Sequence, residues 1–130
     1  MATKIFLIDD DIKYLTLLKF HIEENVKQPI DVHIFAYGEN ALDKLDLNPE
    51  IVIVDYYLDG INENAANGVE ITKKIKDKLP TAHVVLITSK DEVGVVKDSL
   101  EKGAYSFISK TDTTFLKVHN TINNIIKFAL

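Results

Sequence analysis

Short apolar runs rich in β-branched residues alternate five times with segments of helical spacing, and this alternation constrains the chain more than any other feature. The runs fall at 4–8, 30–36, 51–55, 83–88 and 105–109. Four of them read as near-continuous apolar stretches, as expected of strands covered on both faces. The run at 30–36 instead alternates, with Val32, Ile34 and Ala36 against Asp31, His33 and Phe35, which predicts an edge strand. Between the runs, Ile12, Leu15, Leu18 and Ile22 recur at i, i+3 and i+4 and predict a first helix over 11–26. Ala41, Leu42 and Leu45 mark a short second helix, and Val69, Ile71, Ile75 and Leu79 a third that Pro80 stops. Val93, Val96 and Leu100 mark a fourth, with Gly103 placed as its C-terminal stop. Phe115, Val118, Ile122, Ile125 and Ala129 mark a fifth.

Five consecutive strand–helix units require a parallel sheet, because right-handed crossovers place helices on both of its faces. The predicted fold class is α/β, a doubly wound five-stranded parallel sheet of flavodoxin-like order 2-1-3-4-5 with five helices. With 130 residues the chain is expected to form one domain over 1–130. A composition 46% hydrophobic and 27% charged excludes disordered and low-complexity classes. The absence of cysteine removes disulfides, thiolate zinc sites and cysteine nucleophiles, and fits a reducing compartment. A net charge of −5 disfavours direct nucleic-acid binding, since the domain would repel phosphate. Only four consecutive apolar residues, Ile5 to Ile8, precede three aspartates, so no signal peptide is expected, and no run approaches the ~20 residues of a membrane span. The expectation is a soluble, cytoplasmic protein.

In such sheets ligands bind outside the carboxyl ends of the strands. The first strand ends in Asp9, Asp10 and Asp11, the third in Asp55, the fourth in Thr88 and Ser89, and the fifth in Lys110. Carboxylates gathered on one rim repel one another unless a cation joins them. Oxygen ligands suit a hard ion such as Mg²⁺. A metal, an ammonium and a hydroxyl together can neutralise the oxygens of a phosphoryl group, and an adjacent aspartate can attack phosphorus. Taken singly, each residue has an ordinary use: Asp11 as a helix N-cap, Thr88 as a cap, Lys110 as a solvated charge. Their coincidence at four strand ends carries the functional reading. The four histidines, His21, His33, His83 and His119, are scattered and make no ligand pattern, and a structural role is expected for His33 and His83.

Over essentially its full length the chain resembles the receiver domains of two-component response regulators. The resemblance rests on Ile-Asp9-Asp10-Asp11, Val-Ile-Val-Asp55, Leu-Ile-Thr88-Ser89 and Phe107-Ile-Ser-Lys110. It implies a signalling domain rather than an enzyme, with Asp55 as phosphoacceptor and Mg²⁺ as cofactor. Asp10 would bind the metal directly, Asp9 through water, and Tyr57 through its backbone carbonyl. Thr88 and Lys110 would engage the phosphoryl group, and Phe107 would be the switch residue. The implied partners are a sensor histidine kinase or phosphotransfer protein, and a downstream protein or second copy docking on helix four, strand five and helix five. Val95, Tyr105 and Lys117 are candidates on that surface. Tyr57 and Lys90 would flank the water path to the acyl phosphate, so slow self-dephosphorylation is expected.

The chain departs from the family pattern in three places. Lys110 precedes Thr111 where Lys-Pro with a cis peptide is usual, Leu58-Asp59 replaces Met-Pro, and the stretch from Asp55 to Gly68 is longer than usual. Two rival readings stay open at this point. One is a haloacid-dehalogenase-type phosphatase using Asp9 in an Asp-x-Asp pattern with Asp11, although the acidic pair expected downstream of its lysine is missing. The other is a receiver-like interaction module that is not phosphorylated.

Overall fold

The computed structural model describes residues 2–56, 67–89 and 93–129. Its elements run β1 (Thr3–Ile8), α1 (Ile12–Asn25), β2 (Ile30–Phe35), α2 (Gly38–Leu42), a 3-10 turn at Leu45–Leu47, β3 (Ile51–Asp55), α3 (Gly68–Lys78), β4 (His83–Thr88), α4 (Val93–Glu101), β5 (Ser106–Ser109) and α5 (Thr114–Ala129). The strands form one parallel sheet of order β2-β1-β3-β4-β5. This is the doubly wound, flavodoxin-like arrangement that the alternation predicts.

Successive side chains of a strand point to opposite faces, so each central strand feeds two cores. Ile5, Leu7, Ile53, Val85 and Ile87 pack against Leu15, Leu18 and Ile22 of α1 and Val118, Ile122 and Ile125 of α5. Phe6, Ile8, Val52, Val54, Val84 and Leu86 pack on the other face against Ala41, Val69, Ile71 and Ile75. Every residue of β3 is buried, which explains its unbroken apolar run before Asp55. Each such side chain contributes about 1.5–3 kcal/mol of burial. β2 is an edge strand and only partly covered, as its alternation predicts.

Three expectations need correction. The fifth strand, expected as a run covered on both faces over 105–109, covers only Ser106–Ser109, with Ile108 alone buried; its place at the edge is the one the order 2-1-3-4-5 predicts. Leu45 does not extend the second helix, which ends at Leu42; it anchors the 3-10 turn instead. Periodicity also placed Ile12 and Leu100 inward, yet they are 48% and 50% exposed. Among the described side chains of α4 it is Ser99 that is fully buried. The period shows that a helix has an apolar face, but the sector that meets the sheet is set by docking. Gly103 does stop α4: its φ of 104° lies where a side chain is disfavoured, and Ala104 N–H closes on Ser99 O at 3.0 Å.

Candidate functional site: the acidic rim at the carboxyl ends of the strands

β1 and β3 are adjacent, and their register pairs Ile8 with Val54, so Asp9 and Asp55 leave the sheet side by side. Backbone bonds fix both ends: Asp9 N–H donates to Phe35 O at 3.2 Å, and Tyr56 N–H to Ile87 O at 2.9 Å. One carboxylate oxygen from each of Asp9, Asp10 and Asp55 lies within 4.8 Å of the others. Asp9 and Asp55 are buried, and Asp10 is half-buried.

Lys110 leaves β5 with its N–H donating to Thr88 O at 2.7 Å, which ties the lysine to the end of β4. Its ammonium donates to Asp9 Oδ2 at 2.9 Å and to Asp55 Oδ2 at 3.3 Å. The peptide joining Lys110 to Thr111 is trans, and the lysine reaches the acidic rim in that form. The loop behind it is closed by Thr114, whose hydroxyl accepts from Thr111 N–H at 2.6 Å and lies 2.8 Å from Ser109 O as a donor. Asp11 caps α1 through its bond from Tyr14 N–H at 3.1 Å. It also donates its own N–H to Asp9 Oδ1 at 3.0 Å, so both Asp9 oxygens are engaged.

The electrostatics follow from this crowding. Burial raises the proton affinity of Asp10, the Asp9 carboxylate adds to it, and Lys110 opposes both. Burial alone would lower the Lys110 value, but the bond to Asp9 and the charges of Asp55 and Asp9 outweigh it and hold the ammonium protonated. Three carboxylates face one ammonium, an imbalance that a divalent cation would neutralise. The donor set is all oxygen and the spread is compact, the chemistry that suits a hard divalent cation.

Thr88 is fully buried at the end of β4, and Phe107, opposite Leu86 in the register, packs half-buried against the core on the α3 face. Tyr57, Lys90 and the intervening 57–66 stretch lie outside the described residues, as does the Val95 side chain; Tyr105 and Lys117 are exposed. Two contacts had no sequence signal. Tyr14, one turn into α1, places its ring 4.4 Å from the Lys110 ammonium. His21 and His119, read as scattered, meet at 2.8 Å between Nε2 and Nδ1, because α1 and α5 pack side by side. His33 approaches Asp31 and the Phe6 ring, and His83 meets Tyr105, both structural contacts.

The fold and this rim define a doubly wound α/β domain with an acidic, lysine-bearing site at the carboxyl ends of its strands, and comparison with known proteins specifies it. The family of response regulator receiver domains matches residues 5–119, and the chain belongs to that family. It is 27% identical over 115 residues to the response regulator protein VraR of Staphylococcus saprophyticus, covering 85% of this chain and 51% of that protein. It is 29% identical over 111 residues to the chemotaxis protein CheY of Listeria monocytogenes, covering 82% of this chain and 85% of CheY. The chain thus spans about half the length of the VraR proteins it matches. Among solved structures, a response regulator receiver domain protein of Clostridium thermocellum superimposes with a TM-score of 0.82 at 23% identity, covering 98% of this chain and 97% of that one. Membership in this family removes the haloacid-dehalogenase alternative.

Proposed function

We propose that the chain is a phosphoacceptor domain that takes a phosphoryl group onto Asp55 from the phosphohistidine of a sensor kinase or phosphotransfer protein. The observation that carries this reading is the convergence of Asp9, Asp10, Asp55 and Lys110 at the carboxyl ends of β1, β3 and β5. In the transfer an Asp55 carboxylate oxygen attacks phosphorus, the phosphorus–nitrogen bond breaks, and its electron pair leaves on the imidazole. The product is an acyl phosphate. Lys110, already 3.3 Å from Asp55, pairs with a phosphoryl oxygen and offsets charge there. Asp9 holds Lys110 in reach and keeps its ammonium protonated. Asp10 and Asp55 would hold a Mg²⁺ ion directly and Asp9 through water, with the carbonyl of Tyr57, outside the described residues, as the third protein ligand of this reading; when bound, the ion would neutralise charge on the phosphoryl oxygens.

Thr88 hydrogen-bonds the phosphoryl group in this reading, and the space it vacates lets Phe107 turn inward. That repacks the surface of α4, β5 and α5, where a downstream protein or a second copy docks. The transition is a population shift driven by contacts present only in the phosphorylated state. In this reading the side chains of Tyr57 and Lys90, which lie outside the described residues, would slow phosphate loss. The receiver occupies 1–130 as one domain and works in the cytoplasm, where a kinase can reach it; no described helix is long and apolar enough to cross a membrane.

The test is incubation with acetyl phosphate and Mg²⁺, followed by intact mass and peptide mapping. One phosphoryl group should appear on Asp55, survive Asp11→Asn and disappear in Asp55→Asn. Labelling that persists in Asp55→Asn overturns the acceptor assignment. No uptake by the wild type would instead favour the non-phosphorylated interaction module.

A further inference from the structure

Lys110 is held by more than the two carboxylates. Its ammonium also lies 4.4 Å from the centroid of the Tyr14 ring, inside the range at which an aromatic face attracts a cation. The ring is itself fixed. Asp11 caps the Tyr14 N–H at 3.1 Å, and Phe115 of α5 meets the ring edge-on at 5.4 Å and 69°. The Tyr14 hydroxyl is buried without a hydrogen-bond partner among the described residues. Thr114 is near it, but the Thr114 hydroxyl is already engaged with Ser109 and Thr111. The contact with Lys110 is made by the aromatic face rather than by the phenol oxygen.

We infer that Tyr14 is a positioning residue for Lys110, its ring face holding the ammonium over the acceptor carboxylate. A lysine stem has four rotatable bonds and would otherwise sample many conformations. Backbone bonds at Lys110 and Thr114 set where the stem begins. The Tyr14 ring and Asp9 set where it ends, so the ammonium keeps two anchors when a phosphoryl group replaces its contact with Asp55.

This inference rests on the phosphoacceptor reading, and its test separates the two. In the wild-type protein with Mg²⁺, the Lys110 ε-methylene protons should be shifted upfield by the Tyr14 ring current. Tyr14→Phe should keep that shift and bind beryllofluoride, a phosphoryl mimic, within about twofold of wild type. Tyr14→Leu should lose the shift and bind about 3- to 20-fold more weakly, the range expected for a partly desolvated cation–aromatic contact. In a Lys110→Ala background, Tyr14→Leu should cause no further loss. Absence of the ring-current shift in wild type, wild-type affinity in Tyr14→Leu, or an equal loss without Lys110 overturns the inference. A wild type that binds no beryllofluoride overturns the phosphoacceptor reading instead, and the Lys110 shift then decides the positioning contact by itself.

Discussion

Gly68 opens α3 directly against the backbone of the acceptor strand, and Gly68→Ala should damage both stability and the site. A Cβ built at this position meets the Asp55 carbonyl oxygen below any normal contact, Tyr56 Cα at 2.7 Å and the Asp55 carbonyl carbon at 3.0 Å. All three are backbone atoms, so no side chain can swing away to relieve the overlap. The first turn of α3 must retreat by several tenths of an ångström, yet Gly68 N–H donates to Tyr56 O at 2.8 Å and holds it there. Overpacking of this kind costs about 1–3 kcal/mol, and weakening the hydrogen bond adds about 0.5–1.5 kcal/mol. The better helix propensity of alanine offsets at most about 1 kcal/mol. A net loss of about 1–3 kcal/mol lowers Tm by roughly 3–15 °C in a domain of this size. Thermal unfolding followed by circular dichroism measures that fall. Phosphate uptake from acetyl phosphate, assayed well below the lowered Tm, should also slow, because two of the three crowded atoms belong to the backbone of Asp55 itself. A variant as stable and as reactive as wild type would refute the seating of α3 on the end of β3.

Thr114→Val removes a buried hydroxyl that serves Thr111 and Ser109. It should cost about 1–3 kcal/mol in urea denaturation, and an unchanged midpoint would show that the loop is held otherwise. Burial, and then the neighbouring His119, lower the proton affinity of His21 in the folded state. The unfolded chain therefore takes up the proton more readily, so this stabilisation is present above about pH 6.5 and is lost as pH falls below it. The unfolding midpoint of wild type should drop between pH 7.5 and 5.5 more steeply than that of His21→Gln, and parallel slopes would contradict the pairing. Titration with Mg²⁺ should shift amide resonances at 9–11, 55 and 88; a response confined to residues 59–64 would place the ion elsewhere. Beryllofluoride should move Phe107 and α4 resonances together in wild type, and Thr88→Ala should weaken that coupling; an undiminished response in the variant would remove Thr88 from the switch.

The five strand–helix units, the sheet order and the gathering of Asp9, Asp55, Thr88 and Lys110 were legible from the sequence alone. Strand burial writes itself as unbroken apolar runs, helices write themselves as a 3.6-residue period, and right-handed crossovers leave few ways to assemble them. Asp11 as a cap and Gly103 as a stop are equally local, because capping and backbone conformation depend on residues a turn apart. Other features depended on docking angles that no local pattern encodes. Ser99 rather than Leu100 faces inward on α4, since the core selects one sector of a helix that is apolar over a wider one. The trans peptide at Lys110 does not disturb its contact with Asp9, because Thr114, four residues on, closes the loop behind it. His21 meets His119 across 98 residues of chain, and Lys110 meets the Tyr14 ring. The first exists because α1 and α5 lie side by side on one face of the sheet, the second because the start of α1 lies beside the residue that follows β5. Sequence placed the charged groups at the strand ends; tertiary packing alone decided which aromatic surface the lysine rests on, because that depends on distances between elements rather than on spacing within them.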